Sequence, residues 1–348
     1  MCDRVPMTAL EPADEAPELM LGPATRLLWR TPDSVHLELG SQATVVEGLP
    51  VSIVRNVASA APSPIATLDE PVRHALAALT HAGYLWRRSL EPDDPRGAPP
   101  QPRLAGELTA LAARHGADAA VVLAARRHAS VAVFGTSRVA AHLAAVLAAA
   151  GVGRVSCVAD GTVRLHQAMP GGATPDDEGS TLSYAADQAL RRAAPEVDTR
   201  PPGIDERPDL TIVATDTPIT EERRQALHAS NAPYLAVTLG IDHGVVGPLV
   251  LPGLTSCLRC ADLHRQDRDP AWSALAVQLT VERRHGPASD VAVATIVAGA
   301  AALQALSFLD GGEPAVLDAT VELRMPDWRL RRRSWPPHPD CDCTDAVG

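Results

Sequence analysis

Residues 131–140 read VAVFGTSRVA, an apolar run followed by a glycine turn and the start of a second apolar segment. The pattern predicts a buried strand that passes through a tight turn into a helix, which is where glycine-rich phosphate loops occur. Only Gly135 of the usual three glycines is present, because Ser137 and Ala140 occupy the other two positions. The helix N-terminus still presents N–H groups to an anion. Gly135, Ser137 and Arg138 are therefore candidate nucleotide-binding residues, and the alternative is a strand–turn–helix unit without a nucleotide.

Apolar segments typical of strands alternate with helical segments on both sides of this loop. Further strands are predicted at 155–158, 210–214 and 234–238, and helices at 104–115, 139–150, 185–194 and 221–230. This alternation predicts an α/β domain over residues 104–348 with a Rossmann-like, mainly parallel sheet.

The chain before this domain divides into three parts. Residues 1–26 are polar and contain prolines, so they are predicted to be disordered. Residues 27–90 combine a β-hairpin with a helix whose apolar positions follow helical spacing, and they form a small module of their own. Residues 91–103 are rich in proline and charge, which predicts a linker.

Charge and composition exclude several classes of protein. The 31 basic and 42 acidic side chains among 348 residues give a net charge of −11, which argues against nucleic-acid binding through bulk charge. The N-terminus lacks the basic and apolar regions of a signal peptide, so we expect a cytoplasmic protein. The apolar run 291–309 contains polar interruptions and predicts a buried helix rather than a membrane span.

The cysteines predict a structural metal site. Six cysteines are present, and four of them form two short pairs separated by about 80 residues, namely Cys257 with Cys260 and Cys341 with Cys343. Four thiolates supply the tetrahedral ligand set that zinc prefers in closed structural sites. The alternative is a group of unrelated thiols, with His338 as a reserve ligand.

Two aspartates follow predicted strands. Asp160 comes 25 residues after Gly135, where an acid can bind ribose hydroxyls, although a turn formed with Gly161 explains it equally well. Asp216 follows the strand at 210–214, at the end of the sheet where a carboxylate can hold Mg²⁺ on a triphosphate. The alternative for Asp216 is a turn or helix-capping acid.

The order of these features resembles that of the ThiF and MoeB family of adenylating enzymes, which are related to ubiquitin-activating enzymes. The resemblance covers residues 105–344 and rests on the GTSRVA loop, the segment DLTIVATD at 209–216, GPLV at 247–250, the two cysteine pairs and the alanine-rich helix between them. It implies ATP and Mg²⁺ as ligands, a homodimer formed through the helix at 291–309, and a role for each matching residue. Asp216 matches the catalytic aspartate, Asp160 the ribose-binding acid, and the paired cysteines the zinc ligands Cys257, Cys260, Cys341 and Cys343.

More narrowly, the chain resembles the ThiF-like partner proteins of azole-forming peptide cyclodehydratases. The segments that carry this resemblance are CLRCADLHR at 257–265, DPAW at 269–272 and WPPHPDCDC at 335–343. It implies that residues 27–90 are a winged-helix-like module that binds leader peptides, and that the partner is a cyclodehydratase-type enzyme.

The chain lacks the arginine and lysine residues that the active members of the family carry at the adenylation site. Their arginine-containing segment after the ribose-binding acid is replaced by RLHQAMP at 164–170, their lysine position falls on Leu182, and the chain contains no lysine at all. Cations of this kind neutralise charge in phosphoryl-type transition states. No cysteine lies between Cys260 and Cys341, so the region that carries an acceptor thiol in thioester-forming relatives has none.

Three hypotheses follow from these observations. The first is a peptide-binding scaffold for ATP-dependent peptide modification, with a degenerate adenylation site. The second is an active adenylyltransferase that activates a peptide or small-protein carboxylate, with Arg138 or an arginine of 329–333 replacing the missing cations. The third is an NAD-binding Rossmann protein, which the cysteine pairs do not favour.

Overall fold

The structure is a computed structural model that describes residues 19–59, 61, 65–87, 101–203, 206–280, 289–327 and 329–344. Contacts divide the chain into two compact units, residues 1–124 and 125–348. Each unit has its own hydrophobic core and is described separately below.

The described residues of the N-terminal unit form two small antiparallel sheets and four α-helices. The first sheet pairs β1 (Leu19–Leu21) with β5 (Leu85–Arg87), and the second has the order β2 (Thr25–Thr31), β3 (Ser34–Leu39), β4 (Gln42–Glu47). The helices are α1 (Val51–Ala58), α2 (Glu70–His81), α3 (Ala105–His115) and α4 (Ala119–His128), the last of which continues past residue 124. Alternate residues of β3 pack against α1 and α2, because the side chains of a strand point in turn to opposite faces.

The hairpin and helix predicted within 27–90 are present as β3, β4 and α2, and β2 adds a third strand. Residues 1–18 of the segment predicted to be disordered lie outside the described residues, as does most of the predicted linker, whereas residues 19–21 form β1. The division between units falls after residue 124 rather than at 103. The physical reason is that Leu108 and Leu111 of α3 pack against Trp86, which ties this helix to the N-terminal unit.

The second unit is built on a seven-stranded mixed sheet with the order β12-β11-β10-β9-β8-β6-β7. Four strands run parallel, and they are β6 (Ser130–Phe134), β7 (Arg154–Val158), β8 (Leu210–Thr215) and β9 (Tyr234–Leu239). Three antiparallel strands extend one side of the sheet: β10 (His243–Val250), β11 (Ala319–Arg324) and β12 (Leu330–Ser334). The α/β class and the Rossmann-like sheet are confirmed, and the antiparallel extension was not anticipated.

The helices of this unit cover the sheet. They are α5 (Arg138–Ala149), α6 (Leu182–Ala193), α7 (Glu221–Ala229), α8 (Leu258–Arg268), α9 (Trp272–Leu279) and α10 (Val291–Leu309). α10 buries one face in the core through Val293, Val297 and Ala301 and exposes the other face, including Leu303. By length and composition, α10 and the run Pro102–His128 are apolar enough to cross a membrane, which is weak support for a span because core helices pass the same test.

Candidate functional site

Three of the predicted site residues follow parallel strands at their carboxyl ends. Gly135 follows β6, Asp160 follows β7 and Asp216 follows β8, and parallel neighbours place their carboxyl ends on one edge of the sheet. Gly135 has a φ of +136°, and a Cβ at this position would lie 1.9 Å from the carbonyl oxygen of Ala214. The glycine is therefore required by the close approach of β8, whether or not a phosphate is bound.

Ser137 connects the loop to the aspartate. It caps α5 by accepting a hydrogen bond from the backbone N–H of Val139 at 3.4 Å, and its hydroxyl is hydrogen-bonded to the carboxylate of Asp216. Burial raises the pKa of Asp216 above its ordinary value, while the Ser137 hydroxyl, Arg138 and His166 act in the opposite direction. One carboxylate oxygen of Asp216 is buried and has no hydrogen-bond partner among the described residues. The edge of the sheet therefore keeps a carboxylate with one oxygen unpaired.

Arg138 links the start of α5 to two neighbouring segments. Its guanidinium donates to the carbonyl oxygen of Ala168 at 2.6 Å and to that of Ser289 at 2.9 Å, so it joins the segment after β7 to the residues before α10. Burial lowers the pKa of Arg138, and Asp216 and Asp290 partly offset this effect. A glycine-rich loop needs open space here so that its backbone can approach a phosphate. In this chain Ser137 stands at the position of the second glycine, and the Arg138 guanidinium is bound to these two carbonyl oxygens.

Unpaired polar atoms concentrate around this helix N-terminus. Eight buried side-chain nitrogen or oxygen atoms have no hydrogen-bond partner in the described part of the chain. Four of them belong to this neighbourhood, namely Arg138 Nε, His142 Nδ1, Asp216 Oδ1 and Ser289 Oγ. Buried polar atoms cost free energy unless water or a ligand pairs with them. The site is therefore polar.

Asp160 stands apart from this cluster. Its side chain is exposed, and it lies beside Gly161, whose carbonyl accepts a hydrogen bond from the backbone N–H of Leu182 at 3.1 Å. Leu182, at the position of the missing lysine, is the first residue of α6 and brings no charge to the site. The following segment lies over the loop, because Gln167 donates to the carbonyl oxygen of Thr136 at 3.1 Å. His166 lies in this segment, and its charge when protonated lowers the pKa of Asp216. Sequence reasoning missed His166 because only the sequence neighbours of Asp216 were considered.

The arginines at 329–333 lie at the other side of the sheet. They flank and form β12, which is the edge strand, whereas the candidate site lies at the ends of β6, β7 and β8. Four strand spacings separate β12 from β8, a distance of about 19 Å. Within one chain these arginines are therefore badly placed to replace the missing cations.

The four paired cysteines form one buried cluster. Their sulfur atoms all lie within 4.8 Å of one another, with Sγ–Sγ distances of 4.0 Å for Cys257–Cys260, 3.7 Å for Cys257–Cys341 and 3.4 Å for Cys260–Cys343. Zinc–sulfur bonds of 2.3 Å in a regular tetrahedron place the sulfurs about 3.8 Å apart. The sequence prediction that these cysteines meet is confirmed, and their spacing fits zinc.

The surroundings of the cluster are those of a closed site. Cys257 and Cys260 lie at the start of α8, the other pair lies on the C-terminal tail, and Arg259 bridges the two segments by an ion pair with Asp342 at 3.0 Å. Burial is the main cause that raises the pKa of the Cys343 thiol to about 12. Four buried thiolates require a cation, which a bound divalent metal supplies.

A second group with metal-ligating atoms, His264, Asp267 and His338, lies near the first. His338 Nδ1 accepts the backbone N–H of Asp340 at 3.1 Å, and its Nε2 lies 2.9 Å from the Asp267 carboxylate. A neutral imidazole has one lone pair, which the backbone N–H already occupies, so Nε2 carries the proton. His338 is therefore a hydrogen-bonding residue of the tail rather than a metal ligand.

Cys157 is unsuited to covalent chemistry. It lies in β7 and is 8% exposed, and burial raises the pKa of its thiol to about 12. A thiol with such a pKa is almost wholly protonated near neutral pH and is a poor nucleophile. Cys2, the remaining cysteine, lies outside the described residues.

Solved structures with the same architecture exist. The structure of E. coli MccB with succinimide superposes with a TM-score of 0.70 and 17% identity, covering 94% of this chain and 99% of that chain. The chain shares the MccB fold. A structure of E. coli MccB with ATP gives a TM-score of 0.68 at 17% identity over 93% and 99% of the two chains. PaaA gives 0.59 at 16% identity over 76% and 92%.

No protein-family model matches the chain, and no curated protein sequence matches it. The similarity is therefore one of fold. Because the match to MccB covers nearly the whole of both chains, it includes the N-terminal unit as well as the sheet. The Rossmann-like α/β fold inferred from the motifs is thus supported by an independent comparison.

Proposed function

We propose that this protein is a peptide-binding partner in ATP-dependent peptide modification, and that its own adenylation site is degenerate. The observation that carries the proposal is the position of Arg138, whose guanidinium is bound to the carbonyl oxygens of Ala168 and Ser289 rather than left free for a triphosphate. The missing lysine position, occupied by Leu182, supports it further. A site with these features keeps the fold but lacks the cations that adenylyl transfer requires.

The peptide-binding part of the proposal rests on the N-terminal unit. In the sheet β2-β3-β4 both outer strands have one side without a strand partner among the described residues. An extended leader peptide can add a strand to such an edge, which is a common mode of peptide capture. One of the similar structures is of the microcin C7 biosynthetic enzyme MccB in complex with N-formylated MccA. We assign the binding of the leader peptide to residues 27–90, as a winged-helix-like module. The partner of the protein in the cytoplasm is then a cyclodehydratase-type enzyme.

The nucleotide part is tested by calorimetry. Titration of Mg-ATP into the zinc-loaded protein should give no saturable heat, because the Arg138 guanidinium is bound to backbone carbonyls and no lysine is available to the triphosphate. Asp216→Ala is the matched variant, since it removes the carboxylate that would hold the magnesium ion. Circular dichroism of both samples must show folded protein. Micromolar binding by the wild type that is lost in Asp216→Ala would contradict the proposal.

Active adenylyl transfer is the second candidate function, and one observation favours it. Asp216 retains a buried, unpaired carboxylate oxygen at the edge of the sheet, and the exposed Asp160 follows the strand β7, in the chain order expected of a nucleotide site. E. coli MccB, which shares the fold, has been solved with ATP. Peptide-dependent exchange of labelled pyrophosphate into ATP would establish this activity and replace the scaffold proposal.

We also propose that the protein is a homodimer formed through α10. The outward face of this helix carries Val291, Ile296 and Leu303, which are 43%, 44% and 61% exposed. Small residues between them, such as Gly299, allow a second helix to approach closely. Light scattering at micromolar concentration should give twice the monomer mass of 36.5 kDa. A Leu303→Glu variant should shift the mass to that of the monomer, and a monomeric wild type would contradict the proposal.

A further inference from the structure

An open pocket of about 480 Å³ lies in the N-terminal unit, where the end of β2 meets the start of α1. Its lining combines apolar residues, one threonine and two arginines. These residues are Trp29, Pro32 and Val51, then Thr31, then Arg30 and Arg55. Neither arginine forms an ion pair with an acidic side chain in the described part of the chain. The pocket therefore carries two guanidinium groups without an acidic partner in that part, in a chain whose net charge is −11.

The backbone directs Arg30 away from the strand ladder. Trp29 pairs with Val35 and Thr31 pairs with Ser34, so Arg30 is an extra residue on β2 without a partner on β3. Such a bulge bends an edge strand and re-aims the side chain, and bulges are common next to binding sites. Because β2 is an outer strand of its sheet, this change of direction occurs beside a strand edge without a partner in the described chain.

The apolar part of the pocket is exposed as well. Trp29 is 48% exposed and its neighbour Leu28 is 43% exposed, whereas Trp86 of the same unit is 8% exposed. A half-exposed tryptophan beside arginines is the combination found in the central contacts of protein and peptide interfaces. Asp33, the nearby acid in the β2–β3 turn, accepts a hydrogen bond from the hydroxyl of Thr31 at 2.6 Å.

We propose that this pocket binds an acidic side chain of a peptide, with its carboxylate between Arg30 and Arg55 and the adjoining apolar residue against Trp29. The ligand class is therefore an extended peptide with an aspartate or glutamate next to an apolar residue. Charge complementarity selects it, since two guanidinium groups can bind a carboxylate by charge-assisted hydrogen bonds. The inference rests on the proposed peptide-binding function and specifies which residues recognise the peptide.

The test uses the full-length protein and a phage-displayed library of random twelve-residue peptides. The wild type should select sequences enriched in glutamate and aspartate. The most enriched peptide and its Glu→Gln counterpart are then synthesised with a fluorescein label, and fluorescence anisotropy should show about tenfold weaker binding of the Gln form. Arg30→Gln and Arg55→Gln should remove this tenfold preference.

Arg26→Gln is the matched control, because Arg26 lies on the same strand but pairs with Glu38 outside the pocket. This variant should keep the preference for the acidic peptide. If all three variants lose this preference equally, general charge attraction explains the binding and the proposed pocket is wrong. Selected peptides without acidic enrichment, or equally tight binding by the pocket variants, would also overturn it while leaving the peptide-binding function standing. If no peptide is selected at all, both proposals fail.

Discussion

Replacing Cys260 by serine should remove the metal from the protein and lower its melting temperature by about 8–16 °C. We expect the wild type to purify with one equivalent of zinc, measured by inductively coupled plasma mass spectrometry, and the variant with almost none. Structural zinc sites contribute about 10–16 kcal/mol in small peptides. If about 4 kcal/mol of this stabilises the present fold, the stated shift follows from the usual ratio of about 2–4 °C per kcal/mol for a unit of this size.

The geometry explains why a single cysteine matters. Cys260 is fully buried, its sulfur lies within 4.0 Å of that of Cys257 and within 3.4 Å of that of Cys343, and serine offers a weak ligand at this position. Loss of the metal also frees the tail, whose position depends on the pair Cys341 and Cys343. The tail otherwise depends on contacts such as the hydrogen bond from the Trp335 indole to the hydroxyl of Thr320 at 3.0 Å.

Cys157→Ser is the control for this prediction. It makes the same chemical change at a buried cysteine of β7 that is outside the cluster, so zinc content should remain at one equivalent. A wild-type protein that purifies without a divalent metal, or a Cys260→Ser variant with unchanged zinc, would show that the cluster is not a metal site.

Local sequence signals predicted the parts of the structure that depend on neighbouring residues. The strands and helices around Gly135 follow apolar periodicity, and the cysteine cluster follows from two close pairs, because metal ligands come in short spacings. The antiparallel strands β10, β11 and β12 were harder to predict from the sequence. β12, for example, reads LRRRS and carries no apolar alternation. A charged edge strand looks like a surface loop in sequence.

The role of Arg138 was beyond sequence reasoning for a different reason. Its hydrogen-bond acceptors are backbone carbonyls of Ala168 and Ser289, 30 and 151 residues away, and a backbone carbonyl carries no residue-specific signal. The motif therefore identified the loop and the candidate residues, while the hydrogen bonds of Arg138 became visible only in the fold. The same limit applies to Arg126 and Asp310, which are 184 residues apart.

Replacing Arg126 by methionine should destabilise the protein by about 3–5 kcal/mol. The guanidinium of Arg126 is fully buried and binds the carboxylate of Asp310 at 2.6 and 2.7 Å, and it also donates to the carbonyl oxygen of Ala150 at 3.0 Å. Asp310 caps the C-terminal end of α10, and its side chain is 1% exposed. Removing the arginine would leave this carboxylate buried and uncompensated, which is the costly half of breaking a buried pair.

Urea unfolding of four variants, Arg126→Met, Asp310→Leu, their double variant and Arg331→Gln, separates the charge effect from packing. Arg331→Gln, which breaks the exposed pair with Asp327, should change the free energy of unfolding by less than about 1 kcal/mol. The double variant Arg126→Met, Asp310→Leu should recover much of the loss of the single variant, because no charge is left unpaired. A double variant whose loss equals the sum of the two single losses would show that the pair is uncoupled. A loss below about 1 kcal/mol for Arg126→Met would show that water reaches Asp310 and that α10 is held by its apolar face alone.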